Sequence, residues 1–168
     1  PVIFVSDFFS HQVNGGAELT ADAILNESLL PIVQINSQHL TPTLLDRYKN
    51  EIWIFGNYTG IADNILLEVI KKIKDYSVIE FDYKYCKYRS SHKHIATEGA
   101  CGCENTNHGK LVSIFYAKAK NLFWMSEGQK QEYIRLFPHL KNANNVVLSS
   151  NFSDKALSQI QHLRSSNI

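Results

Sequence analysis

The sequence predicts an α/β domain: a three-layer, Rossmann-like, doubly wound and mostly parallel six-stranded sheet with helices on both faces. Three observations carry this. Short apolar runs alternate with longer amphipathic ones along the whole chain. The short runs are apolar on both faces, as strands covered from both sides must be. The length, 168 residues, fits a single domain spanning 1–168, or one lobe of a larger enzyme, and buries a full core without disulfides or metal.

The elements follow in order. Val2 to Ser6 (VIFVS) is the first strand, and a polar, glycine-containing stretch runs from Asp7 to Gly16. Ala17 to Leu29 reads as a helix with Ala21, Ile24, Leu25, Ser28 and Leu29 near one face. Pro31 to Asn36 is the second strand. Thr41 as N-cap and Pro42 at the first helical position open a short helix through Tyr48. Glu51 to Gly56 is the third strand, and Ile61, Ile65, Leu66, Val69, Ile70 and Ile73 form a helical stripe. Tyr76 to Phe81 is the fourth strand. Asp82 to Gly109 reads as a long irregular segment, a length at which loops are usually functional or disordered. A helix from Lys110 to Lys120 and a strand from Asn121 to Met125 come next. Ser126-Glu127-Gly128-Gln129 is a capping box for a helix that Pro138 stops near Phe137. Asn145 to Ser149 is the sixth strand, and Ser153 caps a last helix ending near Arg164. The expected strand order is 3-2-1-4-5-6, with the flavodoxin-like order as the alternative. In the first order, ligands bind between the loops after strands one and four.

Hydrophobic residues make up 44% and charged residues 20%, with a net charge of +1. No basic run stands out, which argues against nucleic acid or an anionic membrane as partner. No apolar stretch approaches the roughly 20 residues of a membrane span. Pro1-Val2-Ile3-Phe4-Val5 lacks the basic start and cleavage site of a secretory signal, so a cytoplasmic location is expected. Nothing upstream beyond an initiator Met is expected either. No organic cofactor is predicted.

The first loop closes in Asn14-Gly15-Gly16 at the start of a helix. Paired glycines allow close backbone approach, and the helix start offers unpaired N–H groups, which suits phosphate or diphosphate. A tight turn needing positive φ explains the glycines equally well. A first strand, a polar loop ending Gly-Gly-Ala-Glu and a long helix resemble the N-terminal, acceptor-side domain of retaining GT-B glycosyltransferases of the group-1 family. The run N121-L-F-W-M-S-E-G-Q129 and then N145-V-V-L-S-S-N151 resemble that family as well. The resemblance implies a nucleotide sugar and a hydroxyl acceptor as ligands. Asn14, Gly15 and Gly16 would face the diphosphate, Ser126 would join the ligand-binding set, and Asp82 or His94 would contact the acceptor hydroxyl as the catalytic group. The family's donor-binding domain, with its Glu-x7-Glu pair, has no counterpart here: no two glutamates have that spacing. A further C-terminal domain or a partner subunit would have to supply it. A non-catalytic ligand-binding or metal-stabilised interaction domain is the alternative.

The segment 82–109 holds every cysteine, Cys86, Cys101 and Cys103, with His92, His94 and His108. Three thiolates and an imidazole complete a tetrahedral structural zinc site. The spacing Cys-x14-Cys-x-Cys leaves free thiols, zinc and a disulfide from Cys86 to Cys101 or Cys103 all open, and it singles out no histidine. The first part of the segment interleaves Tyr83 with Lys84, Lys87 and Arg89, aromatic faces and cations suited to sugars and phosphate. Glu80 lies within an apolar strand, either paired in the core or at an edge. Trp53 and Trp124 are core candidates.

Overall fold

The computed structural model describes residues 1–166. Its strands are β1 (Val2–Ser6), β2 (Ile32–Asn36), β3 (Ile52–Phe55), β4 (Tyr76–Glu80), β5 (Asn121–Trp124) and β6 (Asn145–Val147). Every strand pair is parallel. Helices α1 (Gly16–Asn26), α2 (Pro42–Arg47), α3 (Asp63–Lys72), α4 (Ser91–Glu98), α5 (Asn107–Lys118), α6 (Glu127–Leu136) and α7 (Asp154–Ser166) connect or follow them. No helix among the described residues is long and apolar enough to cross a membrane.

The strand order is β2-β1-β3-β4-β5-β6, the flavodoxin-like arrangement rather than 3-2-1-4-5-6. Two local facts account for this. Gln34 in the middle of β2 is exposed, which suits an edge strand and would be poorly tolerated in a central one. Asp7, just past β1, accepts hydrogen bonds from Ser37 after β2 and from Thr59 and Gly60 after β3. One carboxylate thus ties the loops of both neighbours to β1. The order therefore reverses between β1 and β3, and the ligand mouth moves to the loops after strands one and three.

Period-two alternation divides the strands between two core layers. Val5, Phe55, Val78 and Trp124 face α2, α3, α5 and α6 in the larger layer, with Leu45, Leu66, Val69, Phe115 and Tyr133. Phe4, Ile54, Ile79 and Phe123 face the other way, onto Ala21, Ile24 and Leu25 of α1. Trp53 and Trp124 are buried as expected, each with its indole N–H satisfied: by the Tyr48 carbonyl at 2.9 Å and by Asn145 Oδ1 at 2.8 Å. Helix α1 ends at Asn26, short of the expected Leu29, which is almost fully exposed.

The caps explain where helices start. Thr41 accepts from Leu44 N with Pro42 in the first turn, and Ser126 accepts from Gln129 N. Gln129 reaches back to Met125 N at 2.8 Å, one residue before the cap. The segment 82–109 is not irregular throughout. Ser90 caps α4 by accepting from Lys93 N, and Gly99 ends it at φ 84°, the left-handed conformation that glycine adopts freely. Thr106 caps α5 by accepting from Gly109 N at 3.0 Å.

Candidate metal centre and switch-point groove

Helix α4 and the turns on either side of it gather four potential metal ligands. Cys86 lies in the turn after β4, where its carbonyl accepts from Arg89 N at 2.8 Å. His94 lies one turn into α4, and Cys103 opens a short 3-10 turn before α5. His94 Nδ1 is 3.5 Å from Cys86 Sγ and 3.4 Å from Cys103 Sγ, and Cys101 Sγ is 3.8 Å from Cys86 Sγ. All four ligand atoms lie within 4.8 Å of one another, an arrangement that could hold a metal ion. The three cysteines are free thiols, so the disulfide alternative does not hold in this structure.

Of the three histidines that the sequence left open, His94 is the one that joins the thiols. His92 is exposed, and His108 is held elsewhere, by Asp63 Oδ1 at 2.7 Å and the Lys84 carbonyl at 2.9 Å. His94 Nε2 is 2.9 Å from Glu98 Oε2, and Glu98 also accepts from Lys87 Nζ and Tyr88 Oη, each at 2.8 Å. Hydrogen bonds from Lys87, Tyr88 and His94 bring the Glu98 carboxyl down to about 2. A carboxylate on the far ring nitrogen fixes the tautomer and aims Nδ1 at the thiols. Burial pushes the Cys86 thiol up, but donors from the Tyr88 backbone and His94 more than offset it, leaving Cys86 below its ordinary value. Burial takes Cys101 the other way, to about 11.

A second network sits directly before the cysteines. Glu80 is 1% exposed and accepts from the hydroxyls of Tyr116 and Tyr133, from Lys84 Nζ at 2.9 Å and from Asp82 N at 3.1 Å. Burial pushes its carboxyl up while the Lys84 charge opposes that. Burial and the Glu80 charge hold Tyr116 and Tyr133 well above the ordinary phenol range. Lys84 Nζ also donates to Asp82 Oδ1 and Asn57 Oδ1, both at 2.8 Å. Glu80 is thus a paired core carboxylate, the first of its two sequence readings. Lys84 is turned inward with a side chain only 1% exposed, so it is fully engaged within the protein. Tyr83 stacks on Tyr133 with ring centroids 6.0 Å apart.

Asp82 and Arg89 form a close ion pair, and Arg89 also donates to Asn57 Oδ1 at 3.3 Å. Arg89 holds φ 56°, a left-handed conformation uncommon for a residue with a side chain. Arg89 lines a groove of about 320 Å³ at the strand-order reversal, with Asp7, Phe8, Glu18, Ser37 and Asn57. Donors from Ser37, Thr59 and Gly60 outweigh burial and lower the Asp7 carboxyl below its ordinary value.

The sequence candidates therefore separate. Asp82 and Arg89 come together as an ion pair, of which Arg89 lines the groove. His94 belongs to the thiol cluster. Asn14 lines a different hollow, with Ser10, His11, Asp22 and residues of α7. Ser126 is an exposed helix cap. Gly15 is extended, at φ −101°, and Gly16 opens α1, so neither glycine serves a positive-φ turn. A Cβ on Gly15 would overlap the Glu18 carboxylate, whereas one on Gly16 meets open space. Sequence reasoning missed Asn57 and Glu98, and took Glu18 only as the end of the Gly-Gly-Ala-Glu run. The Ser90 and Gly99 boundary signals around α4 would have pointed to Glu98, one helical turn beyond His94. The chain matches no protein-family model, no curated protein and no solved structure.

Proposed function

We propose that this chain is a ligand-binding α/β domain whose β4–α5 connection is held together by a structural zinc ion. The observation that carries this is the size of the Cys3His cluster. With Zn–S near 2.3 Å and Zn–N near 2.0–2.1 Å, tetrahedral zinc sets S···S edges at about 3.8 Å and S···N edges at about 3.5 Å. The cluster has an S···S distance of 3.8 Å and S···N distances of 3.5 and 3.4 Å. Four protein ligands close the coordination sphere, which favours a structural over a catalytic ion. The test is metal analysis of protein purified without chelator. About one Zn²⁺ per chain, lost from Cys86→Ser/Cys103→Ser protein, is expected; protein with less than about a tenth of an equivalent would sink the reading.

The narrower reading is that the ligand mouth is the acceptor side of a glycosyltransferase, with another domain or a partner subunit supplying the donor site. Gly16 at the open N-terminus of α1, beside the strand-order reversal, supports it, as does the sequence resemblance. Nucleotide sugar and hydroxyl acceptor would then be the ligands. Titration with UDP- and GDP-sugars tests this against Gly16→Val. Equal weak binding by both proteins refutes it.

A further inference from the structure

We propose that the groove at the strand-order reversal is a binding site for an uncharged, hydroxyl-rich molecule, a sugar or similar polyol. This deepens the acceptor reading and rests on it. Three observations on named side chains lead there.

Glu18 is 8% exposed and lines the groove, and among the described residues its carboxylate has no hydrogen-bond or ion-pair partner. Among the described residues only Tyr85 Oη and Glu104 Oε2 are buried with neither partner nor solvent, so the Glu18 oxygens still touch solvent and can exchange it for a ligand's hydroxyls. Position in the first turn of α1 favours its charge through the helix dipole but supplies no directional partner. Asn57, 6% exposed, lines the same groove. Both Lys84 and Arg89 are donors, so they fix the amide oxygen towards themselves. The amide nitrogen is left facing away, with no hydrogen-bond partner among the described residues. A solvent-facing acceptor and a solvent-facing donor, neither engaged by the described residues, thus share one groove, with the half-exposed ring of Phe8 beside them.

The charges select the ligand class. Asp7 has its oxygens occupied by Ser37, Thr59 and Gly60, and Arg89 is neutralised by Asp82. No free cation remains among the groove's described residues to attract phosphate. A carboxylate, an amide N–H pair and an apolar ring match the hydroxyls and C–H face of a sugar. The volume, about 320 Å³, lies at the small end of ligand pockets.

The experiment is a titration of the full chain, as purified, with D-glucose, methyl α-D-mannoside, glycerol, inorganic phosphate and Ca²⁺, followed by amide NMR shifts. The glycoside arm mimics the end of a glycan, and the free sugar and glycerol arms mimic a soluble polyol. Saturable binding of at least one neutral polyol, with shifts at Phe8 and Asn57, is expected. Glu18→Gln, which keeps the shape, and Asn57→Ala should each weaken it by about tenfold or more. No saturable polyol binding overturns the proposal. So does polyol binding indifferent to both variants, or stronger binding of phosphate or Ca²⁺. Nucleotide-sugar binding abolished by Gly16→Val, without polyol binding, would leave the transferase reading standing and remove this one.

Discussion

His94 and Glu98 stand one helical turn apart on α4, with the imidazole Nε2 2.9 Å from the carboxylate. The pairing turns the other ring nitrogen to Cys86 and Cys103, so a residue outside the ligand set determines how the set is aimed. Glu98→Gln keeps a hydrogen bond but loses the charge. It should retain metal while lowering affinity 10- to 100-fold, read by competition with a chromophoric chelator. His94→Gln removes a ligand and should lower the affinity further still.

Acid sensitivity should trace in part to Asp7. Its carboxyl is lowered from the ordinary 3.8. The folded state then holds the ionised form more firmly than the unfolded chain does. This stabilisation is fully present above the unfolded value and is lost as pH falls through the folded one. Asp7→Asn removes it. The stability gap between wild type and variant, measured by urea unfolding, should therefore narrow as pH drops below about 4.

Lys84 lies between two carboxylates with its side chain 1% exposed. Lys84→Met leaves Glu80 uncompensated in the core and should destabilise by about 3–5 kcal/mol. Adding Glu80→Gln to that variant should recover part of the loss, which a double-mutant cycle in denaturant detects. Additive losses would show that the two side chains do not stabilise each other.

Gly109 and Gly16 should respond in opposite ways to alanine. A Cβ on Gly109 would run into the Cys103 backbone carbonyl, which Thr106 Oγ1 also grips at 2.7 Å. The turn carrying Cys103 must then shift, so Gly109→Ala should lower both melting temperature and metal affinity. Gly16→Ala adds a methyl in open space at the start of α1 and should be neutral or stabilising by up to about 1 kcal/mol. Thermal melts with and without added Zn²⁺ distinguish the two.

The sequence was most legible where local rules act alone. Thr41-Pro42 and Ser126-x-x-Gln129 announced their helices, and the apolar runs announced all six strands. Strand order was not legible, because it depends on Asp7 reaching loops thirty and more positions away, and no local pattern encodes such a reach. The cysteines were visible as a group, but choosing His94 over His92 and His108 required α4. That helix was overlooked because its eight residues include two histidines and a lysine and show little apolar periodicity. Glu18 was visible only as the end of the Gly-Gly-Ala-Glu run, and Asn57 carried no signal, since its place between Lys84, Arg89 and the groove is set by the fold.

All four potential metal ligands lie between Cys86 and Cys103, inside the connection that separates β4 from β5. Pairing of those two strands requires this long connection to close, an entropic barrier that grows with the length of free chain. A zinc ion gripping neighbours in sequence can bind early, tie that connection into a compact knot and shorten what remains to be closed. Chelated protein should accordingly refold more slowly than the zinc-loaded form, and spend longer with the edge of β4 bare to other chains.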